Sequence, residues 1–495
     1  MLDDRIRAAM LHGPGRPDAD GVSDYVTHLV AALDGIGVEV TPGPVRPDGE
    51  RGLGRRGGVV VGPDTGVHRK RDADLGSRHD ARPRRCCDGG SVTTTSAPTT
   101  APTGLAGAHR RLPLPDVLRG VAILGTLATN VWLFATPGSE ARFLTDATAI
   151  SAASVGTAEP VAAVVEGVFR FLANGKFLAL LTILFGVGLA IQHRSAVDRG
   201  RSWPGGYGWR ALLLFVEGTL HFVLVFAFDV LMGYAVVALL VAWLLARAER
   251  VQRVAMYAAG ALHVALMALL TLALATALPG APADPAVVAA DARVFTAGSW
   301  ADQVAFRLDN WLALRAEPIV SFGLLVFLFL LGVRLFRAGA FDPDVRGRAL
   351  RRRLLVVGLG AGLPLNAATT LAGPEFFLFD RYVCAPVLAL GYLGMVGVLL
   401  DRVRRPGPVT AGLTAVGRTA LSCYVAQNVL CVLVAYGWGL GLAHAWQDAS
   451  PWWVLGLWAT VGLTLAGGAR WCLRRYGQGP LEALQKAALR RLPAS

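Results

Sequence analysis

Four ionisable residues sit in or beside one apolar run, RALLLFVEGTLHFVLVFAFDVLMGYAVVALLVAWLLA (residues 210–246): Arg210, Glu217, His221 and Asp229. A neutral imidazole serves as acid, base or acyl acceptor, and a carboxylate one helical turn away can hold its tautomer and raise its basicity. Glu217 precedes His221 by four residues and follows Arg210 by seven, so a helix carries all three on one stripe. A bilayer core takes about 20 helical residues, so the run reads as two spans with a reversal near Phe228 and Asp229. Asp229 is placed there to cap the second helix. Ionisable groups at membrane depth usually face a bundle interior or a wet cavity. His221, oriented by Glu217 and with Asp229 nearby, is therefore the candidate catalytic group. The bland alternative is a histidine satisfied within a helical core.

Other polar residues extend the candidate site. In RLPLPDVLRGVAILGTLATN, Asp116 and Arg119 are three apart and can pair on one helix face, with Asn130 eleven residues beyond Arg119. They read either as an orientation-setting pair and a packing amide or as groups that contact substrate. Lys176, in ANGKFLALLTILFGVG, is the only lysine within the apolar spans. It either snorkels to the interface or meets an anionic group such as a carboxylate, a phosphate or an acyl donor. Arg418, in LTAVGRTALSCYVAQNVL, stands at the mouth of a later span, ahead of Ser422, Tyr424, Gln427 and Asn428. Interhelical hydrogen bonding is reason enough for those four, and His263 has no evident partner. No metal-ligand spacing appears, and the cysteines read as packing residues.

The chain of 495 residues is 54% hydrophobic and 17% charged, the composition of an integral membrane protein. A net charge of +13 would suit nucleic acid, but the arginines cluster between apolar spans, where they set topology instead. Of 48 basic residues only Lys70, Lys176 and Lys486 are lysine, which with the abundant Ala and Gly suits a GC-rich bacterial genome. Residues 1–110 are different in kind. His12–Pro42 carries a Gly-rich loop, a short amphipathic helix and a strand candidate, and faintly resembles the opening of a GT-B glycosyltransferase. The remainder is rich in Arg, Asp and Gly and ends in a Thr/Ala/Pro linker at 91–108, so this region is expected to be largely disordered. It has no apolar stretch of the kind a signal peptide needs.

The membrane domain is expected over 111–495, with ten spans: 117–135, 176–192, 211–228, 230–246, 254–278, 318–336, 354–371, 383–400, 420–436 and 452–471. If the amino end is cytoplasmic, the segments on that side hold 24 Lys and Arg against 6 on the other. The positive-inside rule then places both termini in the cytoplasm. Residues 286–314 are expected to lie along the outer interface as an amphipathic helix. Trp446, Trp452 and Trp453 read as an aromatic belt. RRYGQGPLEAL (474–484) should turn at Gly479-Pro480 and restart as a short amphipathic helix.

Five motifs taken together resemble a known family. DVLRGVAILGTLATN, GKFLALLTILFGVG, EGTLHFVLVFAFDVLMGYA, VGRTALSCYVAQN and YGQGPLEAL occur in the order found in YeiB-like proteins, which carry the domain of unknown function DUF418. The likeness runs from about 112 to 484 and is densest toward 334–485; Gln478-Gly479 looks like a short insertion. The first motif is also similar to that of membrane acyltransferases of the acyltransferase-3 and heparan-glucosaminide acetyltransferase kinds. That similarity implies a ten-helix core passing an acyl group from cytoplasmic acyl-CoA to an acceptor across the membrane. In acyltransferase-3 proteins a catalytic His ends the first span, where this chain has Asn130. The glucosaminide kind has Asn there with a reactive His soon after, and VWLFATPGSEARF contains none. His221 is then the candidate replacement.

The expected protein is thus an all-α, multi-pass protein of the bacterial inner membrane, with lipid around it and no nucleic-acid partner. It either transfers an acyl group to an envelope glycan or lipid, or transports or flips a small anionic or lipid-linked solute. For acyl transfer, Arg119 and Arg418 would hold the phosphates of acyl-CoA, and Asn130 and Asp229 would line the outer acceptor site. For transport, the stripe Arg210, Glu217, His221 would relay protons or bind an anion.

Overall fold

The computed structural model describes residues 113–145, 151–276 except 153, 156 and 158, 285–403, and 405–491. The expectations for residues 1–110 fall outside them. Every regular element among the described residues is helical. Those of seven residues or more are, in chain order, α1 (Pro113–Ala135), α2 (Ser139–Thr145), α3 (Pro160–Ala173), α4 (Lys176–Asp198), α5 (Tyr207–Leu224) and α6 (Leu231–Leu245). Then come α7 (Glu249–Thr276), α8 (Pro285–Thr296), α9 (Trp300–Asp309), α10 (Phe322–Arg337) and α11 (Val345–Ala372). The last are α12 (Ala385–Arg402), α13 (Pro408–Arg418), α14 (Ala420–Ala435), α15 (Trp452–Tyr476) and α16 (Pro480–Arg491).

Several helices are built inside out. α7 buries Gln252, His263 and Thr271, whereas Val254, Leu262, Leu269 and Leu272 are exposed. α3 buries Glu166 and Arg170 and exposes Val161, Val164 and Val168. Water would reverse that arrangement; a lipid surround explains it, because hydrocarbon accepts apolar side chains and penalises polar ones. Among the described residues, six helices are long and apolar enough to cross a bilayer: 114–135, 160–198, 249–276, 345–372, 374–402 and 452–476. These contain five of the ten expected spans whole and a sixth, 254–278, as far as residue 276. The other four are α5, the short apolar α6, α10 with 16 residues, and the pair α13–α14, bent by 94°.

Backbone-to-backbone contact sets the packing. In α11 and α12, Gly358 faces Gly391, and a β-carbon on either would overlap the other helix's main chain. Small residues permit such approach where lipid supplies no hydrophobic drive. α1 and α13 meet in the same way, with Gly417 against the Asp116 carbonyl and Gly120 against that of Leu413. Gly417→Val must push α13 off α1, and we expect a loss of roughly 1–3 kcal/mol or more, the usual cost of overpacking, read as a lower midpoint of thermal unfolding in detergent.

Three expectations change on contact with the structure. The segment 286–314 is not one helix: it breaks at Ala297–Gly298 into α8 and α9, and Ser299 caps α9 with a capping box to Asp302. Its Gln303, Phe306 and Arg307 are buried, so α9 is tied into the bundle. Trp446 and Trp452 are exposed, but Trp453 is buried in the core. The expected span 211–228 would put His221 near its middle, but α5 ends at Leu224 and His221 is in its last turn.

That early end has a tertiary cause. The chain from 225 to 230 surrenders its helical hydrogen bonds to side chains distant in sequence. Glu140 Oε2 accepts from the Ala227 amide at 3.1 Å, and Arg315 Nη1 donates to the Asp229 carbonyl at 2.8 Å. Glu140 is itself held by Arg307 through two bonds of 2.8 Å and by the Tyr436 hydroxyl at 2.8 Å. Burial pushes the Arg315 guanidinium below its ordinary value, and the neighbouring Asp229 carboxylate opposes that shift. Arg307 and Arg315 therefore shape the reversal that presents Asp229.

Candidate functional site

Asp229 is the hub of the site. One carboxylate oxygen, Oδ1, stands 3.2 Å from His221 Nδ1 and accepts from the Tyr424 hydroxyl at 3.5 Å. The other, Oδ2, accepts from the Met232 amide at 3.1 Å and so caps α6, as its place at the reversal suggested. The imidazole is only 3% exposed, and its Nε2 lies 3.0 Å from Asn428 Nδ2. With the amide as donor, Nε2 is the acceptor and the ring proton is on Nδ1, which stands 3.2 Å from the carboxylate without being aligned with it for a hydrogen bond. Gly218 permits the geometry: a β-carbon there would come within 2.8 Å of Asp229 Oδ2 and 2.6 Å of the Met232 amide.

Glu217 is not the group beside His221. Although one turn away on the same helix, its carboxylate meets Gln485 Nε2 at 3.3 Å, on α16. The last turn of α5 directs His221 into the bundle toward α14 and the reversal, whereas Glu217 faces the carboxyl-terminal helix. The carboxylate that faces the imidazole is Asp229.

A cavity of about 260 Å³ is lined by the exposed or half-buried Arg119, Gln192, Tyr207, Arg210 and Gln485 and by the buried Ile123, Leu181, Leu184, Leu231 and Tyr424. Two arginines and an apolar buried wall suit an amphipathic anion. Asp116 pairs with Arg119 at 3.3 Å, as their spacing indicated. Arg418 is exposed at the bend between α13 and α14 and is not among the lining residues; Arg210 is.

A second, smaller pocket of about 30 Å³ lies on the other side of Tyr424, lined by Thr126, Thr129, Asn130, Glu317, Arg381 and the rings of Phe143 and Phe228. Asn130 is here, and Asp229 is represented by its chain neighbours Phe228 and Val230. Arg381 donates to Asn174 Oδ1 and, at 3.2 Å, to Glu317 Oε1, which also accepts from the Tyr382 hydroxyl at 2.6 Å. Lys176 is wholly buried and stands 3.9 Å from Asp380, outside both cavities although its neighbour Gly175 lines the small one. It does not snorkel. Asp380, Arg381 and Tyr382 all fall in one π turn at 380–384, a distortion that often marks functional sites.

The structure thus joins His221, Asp229, Asn130, Arg119 and Arg210 around Tyr424, while Glu217, Lys176 and Arg418 stand apart. Sequence reasoning missed Glu317, Arg381 and Arg315. Its available signal was their sign: arginines on the side poor in basic residues need a local partner.

The yGQGPLE-type motif near the carboxyl end also gains a reason, since Glu482 caps α14. Its Oε1 accepts from the amides of Leu421 at 2.9 Å and Ser422 at 3.2 Å, and its Oε2 accepts from the Ser422 hydroxyl. Glu482→Ala is expected to cost about 0.5–2 kcal/mol, as the loss of an N-cap does. Since Gln485 lines the cavity one turn later, the same variant should loosen that wall, seen as faster proteolysis after residue 477.

Fold and site define a helical membrane protein with a buried His–Asp pair beside Tyr424, which lines both cavities, although His221 and Asp229 themselves line neither. Residues 335–491 match the family described as "Protein of unknown function (DUF418)". The chain is 25% identical over 404 residues to the uncharacterized protein YxaH of Bacillus subtilis, covering 77% of this chain and 94% of that one. It is 28% identical over 388 residues to the uncharacterized protein YeiB of Escherichia coli, covering 74% and 94% respectively. The YeiB-like, DUF418 resemblance drawn from the five motifs therefore holds. No solved structure matches.

Proposed function

We propose that this is a membrane acyltransferase of the bacterial inner membrane, with ten spans and both termini in the cytoplasm, that passes an acyl group to a glycan or lipid of the cell envelope. The observation that carries the reading is that the arginine-lined cavity and the Asn130 pocket both end at Tyr424, beside the His221–Asp229 pair. Acyl-CoA would enter at the arginine-rich end, its phosphates at Arg119 and Arg210 and its thioester reaching toward Tyr424. The acceptor hydroxyl would sit by Asn130, Glu317 and Arg381. His221 takes the proton of that hydroxyl as it attacks the thioester carbonyl, the carbon–sulfur bond breaks, and the departing thiolate takes the proton back. Asp229 stands 3.2 Å from the other ring nitrogen, and Asn428 bonds Nε2.

Labelled acetyl-CoA supplied to inverted membrane vesicles is expected to leave label on an envelope component with the wild-type protein. Equal labelling by His221→Ala, or none by the wild type, would overturn the reading.

Transport of a small anion is the second reading, favoured by the fully buried Lys176 next to Asp380. Ionisable pairs inside a bundle commonly relay protons. It predicts pH-dependent flux with no covalent product, lost in Lys176→Met.

A further inference from the structure

We infer that the two cavities are halves of a single passage across the bundle, and that the Tyr424 side chain is the partition between them. Tyr424 lines both. The walls on either side of it are continuous. On α1 the large cavity is lined by Ile123 and the small pocket by Thr126; on α4 the corresponding residues are Leu181 and Leu178. Residues three apart on a helix are neighbours on one face, separated by about 5 Å along the axis. The barrier is therefore one helical turn thick, and it is filled from α14 by one ring.

The hold on that ring is weak at its tip. The hydroxyl reaches Asp229 Oδ1 at 3.5 Å and receives the Val230 amide at 3.4 Å, both at the long limit for a hydrogen bond. Its ring lies 5.4 Å from that of His221, so a rotation of Tyr424 changes the cover over the His221–Asp229 pair at the same time as it joins the cavities. Chain geometry supports the seat of the hinge, since α14 begins only four residues earlier, at a 94° bend. Tyr424 is thus a positioning residue that determines when the contents of the two cavities meet. Such a passage would serve a transported solute as well as an acyl group, so failure of acyl transfer leaves it standing, whereas its own failure removes the meeting point that acyl transfer would use.

The test is thiol accessibility in sealed vesicles. Thr126→Cys is placed in a chain whose six native cysteines are serine, and a small membrane-impermeant methanethiosulfonate is applied to the face on which an Arg210→Cys control reacts. Labelling of Thr126→Cys from that face should be slow with Tyr424 present, rise by at least about tenfold with Tyr424→Ala, and stay slow with Tyr424→Phe, which keeps the ring. Tyr424→Val gives the same reading if the alanine variant fails to fold. Labelling within about twofold of background for both small variants, with Arg210→Cys still reactive, would overturn the proposal; so would rapid labelling in the presence of Tyr424.

Discussion

Replacing His221 by alanine is expected to lower acyl transfer by about 10²–10⁴-fold, the usual contribution of a positioned acid or base. The imidazole has a carboxylate on one nitrogen and an amide on the other, within a core that excludes the lipid surround. Asp229→Asn should fall nearly as far. It keeps the shape of the cap on α6 while removing the negative charge that stands 3.2 Å from the ring. Glu217→Gln should remain within about tenfold of wild type, because Glu217 meets Gln485 and not the imidazole. Initial rates with labelled acetyl-CoA, together with unfolding midpoints to verify folding, separate these outcomes. A loss in Glu217→Gln equal to that in Asp229→Asn would reinstate the carboxylate on the helical stripe.

The second large effect lies in a purely structural pair. Arg307→Ala should destabilise the protein by about 3–5 kcal/mol, because it leaves the Glu140 carboxylate buried without its counter-charge. Both side chains are fully buried, and the pair is bidentate. Glu140 also accepts from the Ala227 amide, so the damage reaches the reversal that carries Asp229. Replacing both partners by apolar residues of similar volume should cost much less than either single change. Thermal unfolding of the purified protein in detergent provides the comparison. A single variant as stable as the double one would contradict the role given to the pair.

Much of this architecture was legible in composition and periodicity. Apolar runs divided by arginine-rich connections identified a helical membrane protein, and Asp116, Arg119 and the cap at Asp229 followed from spacing along one chain segment. What spacing could not convey was which side of α5 faces the bundle. Glu217 and His221 share a stripe at four residues, yet the helix ends just beyond His221 and directs it toward Asn428, 207 residues away. That end is imposed by Glu140 and Arg315 from distant loops. The same holds for Arg381 and Glu317, which meet only through the fold. Four of the six arginines on the basic-poor side, Arg170, Arg307, Arg315 and Arg381, are buried and bonded. The charge bias in the exposed loops is accordingly stronger than the residue count alone.

The central claim is that donor and acceptor meet at Tyr424 from opposite faces. Sidedness tests it most directly. Sealed vesicles of both orientations, each given labelled acetyl-CoA outside, should form product only when the face carrying Arg210 is outward, with the label recovered on the enclosed side. Product formed equally in both orientations, or label confined to the side of the donor, would contradict the account.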